Sequence, residues 1–301
     1  MKTSVAFLIF NRPSTTQKVF DSIRQAKPPK LFVVADGPRV DRDNEAKNCQ
    51  AVRAIIDQVD WDCQVLTDYS DINLGCKDRV SSGLDWVFEQ VEEAIILEDD
   101  CVPDPTFFRF CEELLDYYRD DTRIMAISGD NFQFGRKRTS DSYYFSRYNH
   151  CWGWATWRRA WQHYDNKMKL WPTINQGNWL ASVFENPESI KRWHKTFQAV
   201  YDQKINSWAY RWTLACWLQS GLTILPNINL ISNIGFGIEG THTKNIRNRL
   251  ANLPVEQMNF PLQHPLFIMR NTQADDFTEK NNRPSSLLKH FLSKIDRNMN
   301  K

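Results

Sequence analysis

Three consecutive carboxylates, Glu98, Asp99 and Asp100, follow the apolar run of residues 94–97. A short apolar run bounded by polar residues predicts a buried strand of a parallel sheet, and ligands of such sheets bind beyond the carboxyl ends of the strands. Adjacent carboxylates repel one another unless a cation neutralises them. Mg²⁺ and Mn²⁺ prefer carboxylate oxygens and share them with substrate phosphates. The pattern therefore predicts a metal-dependent phosphate site, with a solvated acidic loop as the alternative.

Polar residues also follow the first two predicted strands. The first apolar run ends in Asn11 and Arg12, and the second ends in Asp36 and Gly37. Because the carboxyl ends of parallel strands meet at one edge of a sheet, we expect these residues near the acidic triplet. Asp and Gly also suit a plain turn, which is the alternative interpretation.

Lys77 and Arg79 follow Gly75 at the predicted start of a helix. Backbone N–H groups at a helix N-terminus and nearby cations together favour an anion. These residues are therefore candidates to hold a diphosphate or a sugar. Solvated surface charge is the alternative.

Aromatic residues dominate the second half of the chain, which carries ten of the twelve tryptophans. Trp152 and Trp154 flank Gly153, which permits close approach of the backbone to a ligand. Indole faces stack on the apolar faces of sugar rings, so these residues are candidates for an acceptor site; core packing is the alternative. His242 lies in a glycine-bearing loop and is a candidate metal ligand, because such loops close over bound ligands.

The elements that must position these residues alternate between strand and helix up to about residue 130. Strands are predicted at 5–10, 31–35, 63–67, 94–98 and 124–128, and helices at 14–26, 43–57, 75–91 and 107–118. This alternation predicts an α/β fold with a mostly parallel, doubly wound sheet and helices on both faces.

The second half has fewer clear strands. An aromatic turn into a helix is predicted at 150–161, helices at 178–201 and 207–219, and short strands at 222–225 and 229–232. We divide the chain into a donor-binding half, residues 1–132, an acceptor-binding half of the same catalytic domain, residues 133–271, and a polar, basic tail, residues 272–301.

Composition excludes several classes of protein. The net charge of +2 gives no global electrostatic case for nucleic acid binding, and no segment has 18 consecutive apolar residues. Seven cysteines without C-x-x-C spacing favour reduced thiols and a cytoplasmic location. The tail 285–301 reads as a basic amphipathic helix, which either packs on its own domain or makes peripheral contact with a membrane or partner.

Several of these motifs, in this order and at this spacing, resemble the GT-A fold glycosyltransferases, in particular the N-acetylglucosaminyltransferase I group and its bacterial relatives. The resemblance covers roughly residues 4 to 245. It rests on Phe10-Asn11-Arg12, Asp36-Gly37, Asn73-Leu74-Gly75, Glu98-Asp99-Asp100 and Gly153-Trp154. It implies a GT-A fold, a UDP-sugar donor, a Mn²⁺ or Mg²⁺ ion, a carbohydrate or lipid-linked glycan acceptor and an inverting reaction.

The resemblance also implies roles for single residues. Asp36 would accept the imide N–H of uracil, with Phe10, Asn11 and Arg12 beside the nucleotide. In the acidic triplet, Asp100 would bind the metal and Asp99 would contact the ribose. Glu98 would orient a neighbouring residue or the donor sugar, and a metal ion would act as Lewis acid on the departing diphosphate.

One departure from the family concerns the catalytic base. The family places an acidic base in an aromatic-Asp-Asp-aromatic setting, and the matching stretch here, residues 207–212, has no carboxylate. Because an inverting transferase needs a base near the acceptor hydroxyl, Asp130 and Glu239 are the remaining candidates. The departure leaves open a retaining enzyme and a non-catalytic carbohydrate-binding or scaffold protein. A sugar-phosphate nucleotidyltransferase is disfavoured, because the first strand is not followed by a glycine-rich loop.

Overall fold

A computed structural model describes residues 1–236 and 248–281. Its strands are β1 (Val5–Ile9), β2 (Lys30–Ala35), β3 (Gln64–Tyr69), β4 (Glu93–Glu98), β5 (Cys101–Pro103), β6 (Ile124–Ser128), β7 (Tyr143–Ser146), β8 (Trp154–Trp157), β9 (Leu222–Pro226) and β10 (Ile231–Asn233). Its helices are α1 (Pro13–Ala26), α2 (Glu45–Ile55), α3 (Gly75–Gln90), α4 (Thr106–Tyr117), α5 (Arg158–Trp161), α6 (Trp171–Gln176), α7 (Pro187–Tyr201), α8 (Trp208–Leu218) and α9 (Thr272–Asn281).

Eight strands form one sheet in the order β3-β2-β1-β4-β8-β6-β9-β7. The first four are parallel, β8 runs antiparallel between β4 and β6, and β7 is antiparallel to β9. Strands β5 and β10 pair separately as a small antiparallel ribbon. The predicted fold class, a mostly parallel α/β sheet flanked by helices, is confirmed.

The central strands are buried on both faces, which explains why they read as unbroken apolar runs. Along β1, Val5, Phe7 and Ile9 point into one core, while Ala6 and Leu8 point into the core on the opposite face. This alternation with a period of two fixes the register of the strand against both layers of helices. The polar residues that follow each strand are thereby brought to one edge of the sheet.

The second half of the chain departs from prediction in two places. Residues 154–157 form strand β8 instead of continuing a turn into a helix, because they pair with both β4 and β6 in the middle of the sheet. Strand β7 was not predicted at all. The long helix predicted at 178–201 is a 3₁₀ turn followed by α7, which begins at Pro187 after the cap Asn186.

Helix α9 forms the first ten residues of the predicted tail. The predicted amphipathic helix of the tail lies outside the described residues. Among the described helices, none combines the length and the apolar character needed to cross a bilayer.

Candidate functional site

A cavity of about 230 Å³ opens at the carboxyl ends of β1, β2 and β4. Four residues predicted for the nucleotide-sugar site line it: Phe10, Asp36, Arg79 and Glu98. Asn73, from the Asn73-Leu74-Gly75 motif, also lines it, together with three polar residues that the sequence did not single out: Arg39, Cys76 and Asn206. Residues that are nearly 200 positions apart in the sequence therefore line the same cavity. Ligands of open α/β sheets bind in such crevices beyond the carboxyl ends of the strands.

Asp36 follows β2, and its carboxylate is 5% exposed. Its Oδ1 accepts hydrogen bonds from the N–H groups of Gly37 (2.9 Å) and Leu74 (2.8 Å). Its Oδ2 accepts from the N–H of Gly75 (2.9 Å) and from the side-chain amide of Asn73 (3.1 Å). Four donors fill the four lone-pair positions of the carboxylate and tie the end of β2 to the start of α3.

The two predicted anion-binding cations differ in their surroundings. Arg79 is 6% exposed; its Nε donates to the carbonyl of Ala35 at 3.0 Å, and its Nη2 lies 2.7 Å from the carboxylate of Asp68. Arg79 therefore braces the ends of β2 and β3 while lining the cavity. Lys77 pairs with its neighbour Asp78 at 3.2 Å.

The loops after β1 and β2 are joined by Glu45, at the start of α2. Asn11 donates to Glu45 Oε1 at 2.7 Å, and Arg39 donates to the same carboxylate through its backbone N–H at 2.6 Å and its Nε at 3.0 Å. Hydrogen bonds from Arg39 lower the pKa of Glu45 despite its burial. The guanidinium of Arg39 lies 5.5 Å from the ring centre of Phe10. Glu45 was missed because the link it makes depends on Asn11, a loop residue 34 positions away in the sequence.

The acidic turn between β4 and β5 is held by Arg12. One terminal nitrogen of Arg12 donates to Asp100 Oδ2 at 2.9 Å, and the other donates to Asp99 Oδ1. All three side chains are nearly buried, with 13%, 5% and 11% of Arg12, Asp99 and Asp100 exposed. The sequence pattern predicted Arg12 beside the nucleotide but did not predict its ion pair with Asp99 and Asp100.

Burial sets the electrostatics of the turn. Burial, followed by the neighbouring Asp100 and Asp99, raises the pKa of Glu98 to about 8. Burial also raises the pKa of Asp99 to about 6, although Arg12 opposes that shift. Burial opposes the charge of Arg12, but the two carboxylates outweigh it and raise the pKa of the guanidinium. The turn keeps an excess of negative charge over the single cation.

The turn offers a divalent ion few ligands. Asp100 Oδ1 accepts from Cys101 Sγ at 3.3 Å and from Asn233 Nδ2 at 3.4 Å, and its Oδ2 accepts from Arg12. Asp99 Oδ2, in contrast, is buried and has no hydrogen-bond partner within the described part of the chain. In residues 1–236 and 248–281, no three His, Cys, Asp or Glu side chains form a metal-binding group. The predicted ligand His242 lies outside these ranges.

Two carboxylates can nevertheless serve a hard ion. Mg²⁺ is commonly held by one or two carboxylates, with substrate phosphates and water completing the shell. Asp99 and Asp100 supply hard oxygen donors, and the orphaned Asp99 Oδ2 is the kind of buried atom that a cation satisfies. The donor set fits such an ion once Arg12 releases the carboxylates.

Asp130, a candidate base, lies just after β6 and is fully buried. Its Oδ2 accepts the backbone N–H of Trp152 at 3.0 Å, while its Oδ1 has no partner in the described parts of the chain. Burial raises the pKa of Asp130 well above its usual range. The half-buried ring of Trp152 packs edge-on against Phe132 and Phe236, with ring centres 5.2 and 5.6 Å apart. The other candidate base, Glu239, is outside the described residues.

Trp154 and Gly153 belong to the core. Trp154 is 1% exposed and packs against Trp208 and Trp212, with ring centres 5.7 Å apart in both pairs. Its burial places it in the core and leaves Trp152 as the more accessible aromatic candidate for an acceptor surface. Gly153 has φ +68°, and a Cβ there would lie 2.4 Å from the side chain of Ile231, so packing alone requires glycine.

No protein-family model matches the chain, and no curated protein matches it. Among solved structures, it is similar to the mannosyltransferase PcManGT from Pyrobaculum calidifontis in complex with GDP-Man and Mn²⁺, with 16% identity over 52% of this chain and a TM-score of 0.36. The match spans 45% of that enzyme. An active-site mutant of LgtC is 11% identical, with 84% of this chain and 85% of LgtC covered and a TM-score of 0.39.

A UDP-glucose pyrophosphorylase complexed with UDP-glucose is also similar, with 12% identity, 48% of this chain and 62% of that enzyme covered, and a TM-score of 0.28. Similarity at this level concerns the fold alone. The finer resemblance to the N-acetylglucosaminyltransferase I group stays a prediction.

Proposed function

We propose that this protein is a glycosyltransferase that moves a sugar from a nucleoside diphosphate donor, with a UDP-sugar as the first candidate, to a glycan or lipid-linked acceptor. The observation that carries the proposal is the cavity at the ends of β1, β2 and β4. Apolar side chains such as Leu8, Val34 and Val80 share its lining with convergent polar groups. This combination is typical of small-molecule sites at the edge of an open α/β sheet.

The two parts of the donor, the nucleoside and the diphosphate, bind in two regions of the site. The nucleoside lies in the cavity, against Phe10 and the loop that Asp36 anchors. The diphosphate lies toward the acidic turn, which directly follows the cavity residue Glu98. There Arg12 offers a guanidinium, which binds phosphate as readily as carboxylate. Asp99 and Asp100 would hold the Mn²⁺ or Mg²⁺ ion, which neutralises charge on the departing diphosphate when bound.

The acceptor lies against Trp152, and Asp130 is the first candidate base for its hydroxyl, with Glu239 as the second; Asp130 would act once acceptor binding exposes and ionises its buried carboxyl group. The hydrogen bond between the Trp152 N–H and Asp130 supports this assignment, because it links the candidate aromatic surface to the candidate base. We expect Asp130→Asn to keep donor binding and to lose transfer by roughly 100-fold or more. Equal losses of binding and transfer would instead assign Asp130 to the fold.

The binding step is tested by thermal shift with a panel of nucleoside diphosphates and nucleotide sugars. A ligand that binds only the folded state raises its stability. Asn206→Trp places a bulky ring at the exposed lip of the cavity, and Lys204→Trp is the matched control on the same loop outside it. We expect one nucleotide to stabilise the wild type and Lys204→Trp but not Asn206→Trp. No shift with any nucleotide would overturn the proposal.

The reaction type is tested by the leaving group. Incubation of the stabilising nucleotide sugar with an acceptor library is expected to release nucleoside diphosphate and a glycosylated product. Release of pyrophosphate from a nucleoside triphosphate and a sugar phosphate would assign nucleotidyl transfer instead.

A further inference from the structure

At the acidic turn of the candidate site, two buried carboxylates are neutralised by a side chain that also suits a phosphate-bearing substrate. We propose that in the unliganded protein Arg12 occupies the carboxylate oxygens of Asp99 and Asp100 and thereby blocks a divalent ion, a role that we call the guard. A divalent ion then binds at this site together with a nucleotide and not before it. The identity of the nucleotide rests on the proposed function, whereas the guarding role rests on the ion pair alone.

The ion pair occupies the two carboxylates that a metal ion needs. Arg12 reaches Asp100 through one terminal nitrogen at 2.9 Å and Asp99 through the other. A guanidinium spread across two carboxylates satisfies both at once, and nearly complete burial strengthens the pairing relative to an exposed ion pair. A free divalent ion must displace this pair to reach the same oxygens.

The backbone that follows β10 packs against the ion pair. The backbone N–H of Ile234 donates to the carbonyl of Asp100 at 2.9 Å. A Cβ on the next residue, Gly235, would lie 1.9 Å from Asp100 Oδ2 and 2.7 Å from Arg12 Nη1. The backbone at Gly235 therefore packs directly against the contact between Arg12 and Asp100.

The number of protein ligands is the second, independent argument. The described chain supplies no third acidic, histidine or cysteine ligand beside these carboxylates. A hard ion held by two carboxylates depends on phosphate oxygens and water for the rest of its shell. The nucleotide brings those oxygens, and its phosphates offer Arg12 an alternative anionic partner. Both effects favour the metal only when the nucleotide is present.

The test is a Mn²⁺ titration followed by electron paramagnetic resonance, in which protein-bound Mn²⁺ disappears from the free-ion signal. For the wild type, we expect Mn²⁺ binding to be weak alone and to strengthen roughly tenfold or more with UDP or GDP, measured against the same nucleotide with Asn206→Trp. By linkage, Mn²⁺ should strengthen nucleotide binding by the same factor. Equally tight Mn²⁺ binding with and without nucleotide would overturn the proposal.

Arg12→Gln tests the guard without any nucleotide. We expect this variant to bind Mn²⁺ alone roughly tenfold or more tightly than the wild type, and the added Asp100→Asn change to abolish the gain. Arg24→Gln, on the helix α1 that begins directly after Arg12, is the control, because Arg24 pairs with the exposed Asp60. Unchanged Mn²⁺ affinity in folded Arg12→Gln would overturn the guarding role. Failure of the proposed function appears separately, as the absence of any nucleotide binding.

Should Arg12→Gln fail to fold, the wild-type comparison still decides whether Mn²⁺ binding depends on the nucleotide, and Arg12→Lys, which keeps the positive charge, is the second variant. A lysine presents a single ammonium group where arginine presents a fork. We expect it to release one carboxylate and to bind Mn²⁺ alone more tightly than the wild type. Affinity equal to that of the wild type would count against the guard.

Discussion

Two buried carboxylate sites lie at the same edge of the sheet and differ in what satisfies them. Asp36, after β2, is bound by four neutral N–H donors, three of them from the backbone. Asp99 and Asp100, after β4, are bound by the charged side chain of Arg12. A carboxylate saturated by backbone donors is part of the scaffold. A carboxylate held by one long side chain can exchange its partner when a ligand arrives.

This contrast bears on the predicted contact between Asp36 and a uracil base. An imide N–H can bind Asp36 only by displacing one of the four donors that hold the loop to α3. At the acidic turn no such cost arises for Asp99, because its Oδ2 has no partner among the residues that the structure describes. The two sites should therefore respond in opposite ways to substitution: Asp36 through stability, the acidic turn through ligand binding and pH.

The largest effect is expected for Asp36→Asn. An asparagine turns an N–H₂ group toward donors that the carboxylate had satisfied, which leaves buried N–H groups without an acceptor. We expect the free energy of unfolding to fall by roughly 3 kcal/mol or more, measured by urea denaturation. Asp71→Asn, on the exposed part of the neighbouring loop, is the control and should leave stability unchanged. If Asp36→Asn instead lost nucleotide binding while keeping its full stability, Asp36 would belong to the ligand-binding groups and not to the scaffold.

A smaller effect is expected for Arg12→Gln. Removing the guanidinium leaves two buried carboxylates unpaired, and protonation relieves part of the penalty. Removal of one partner of a buried ion pair typically costs about 3–5 kcal/mol, and because protonation of Asp99 relieves part of this we expect a loss of about 2 kcal/mol at pH 7. The loss should be greater at pH 8 than at pH 5, because burial raises the pKa of Asp99 to about 6, so that its carboxyl group needs the guanidinium mainly at the higher pH. A loss independent of pH would mean that packing, and not charge, makes Arg12 important.

The smallest effect is expected in the pH dependence contributed by Glu98. Its pKa in the folded protein, about 8, lies above the usual value for glutamate, so folding takes up a proton between about pH 4 and pH 8. The stabilising contribution is complete below that window and is lost as the pH rises through it. Glu98→Gln should flatten this slope in denaturation curves, and the exposed Glu89→Gln should not. Equal slopes in both variants would assign the proton uptake to another group.

The parallel half of the fold could be predicted because its signals are local. Each buried strand is an apolar run followed by a polar turn, so the strand ends at Asp36 and Glu98 were placed at one edge correctly. Strand β8 could not be predicted, because its pairing with β4 and β6 depends on residues some 60 and 30 positions away. Trp154 was accordingly assigned to an acceptor surface, whereas the sheet buries it.

The partners of the site residues were the least predictable part. Arg12 lies 87 positions from Asp99, and the donors to Asp36 at the start of α3 lie 38 and 39 positions away. Residue type indicated which side chains carry charge and which strand ends meet. It did not indicate that Arg12 neutralises the acidic turn or that backbone N–H groups saturate Asp36, because both depend on the exact approach of separate loops.

The most direct test of the central claim is a crystal structure with the nucleoside diphosphate that stabilises the protein most. We predict the nucleoside in the cavity beside Phe10, the diphosphate beside Arg12, and the four hydrogen bonds of Asp36 unchanged from the unliganded protein. A nucleotide bound elsewhere with this cavity empty would contradict the proposed site. Asp36 turned from its four donors onto the base would contradict the distinction between scaffold and exchangeable carboxylates.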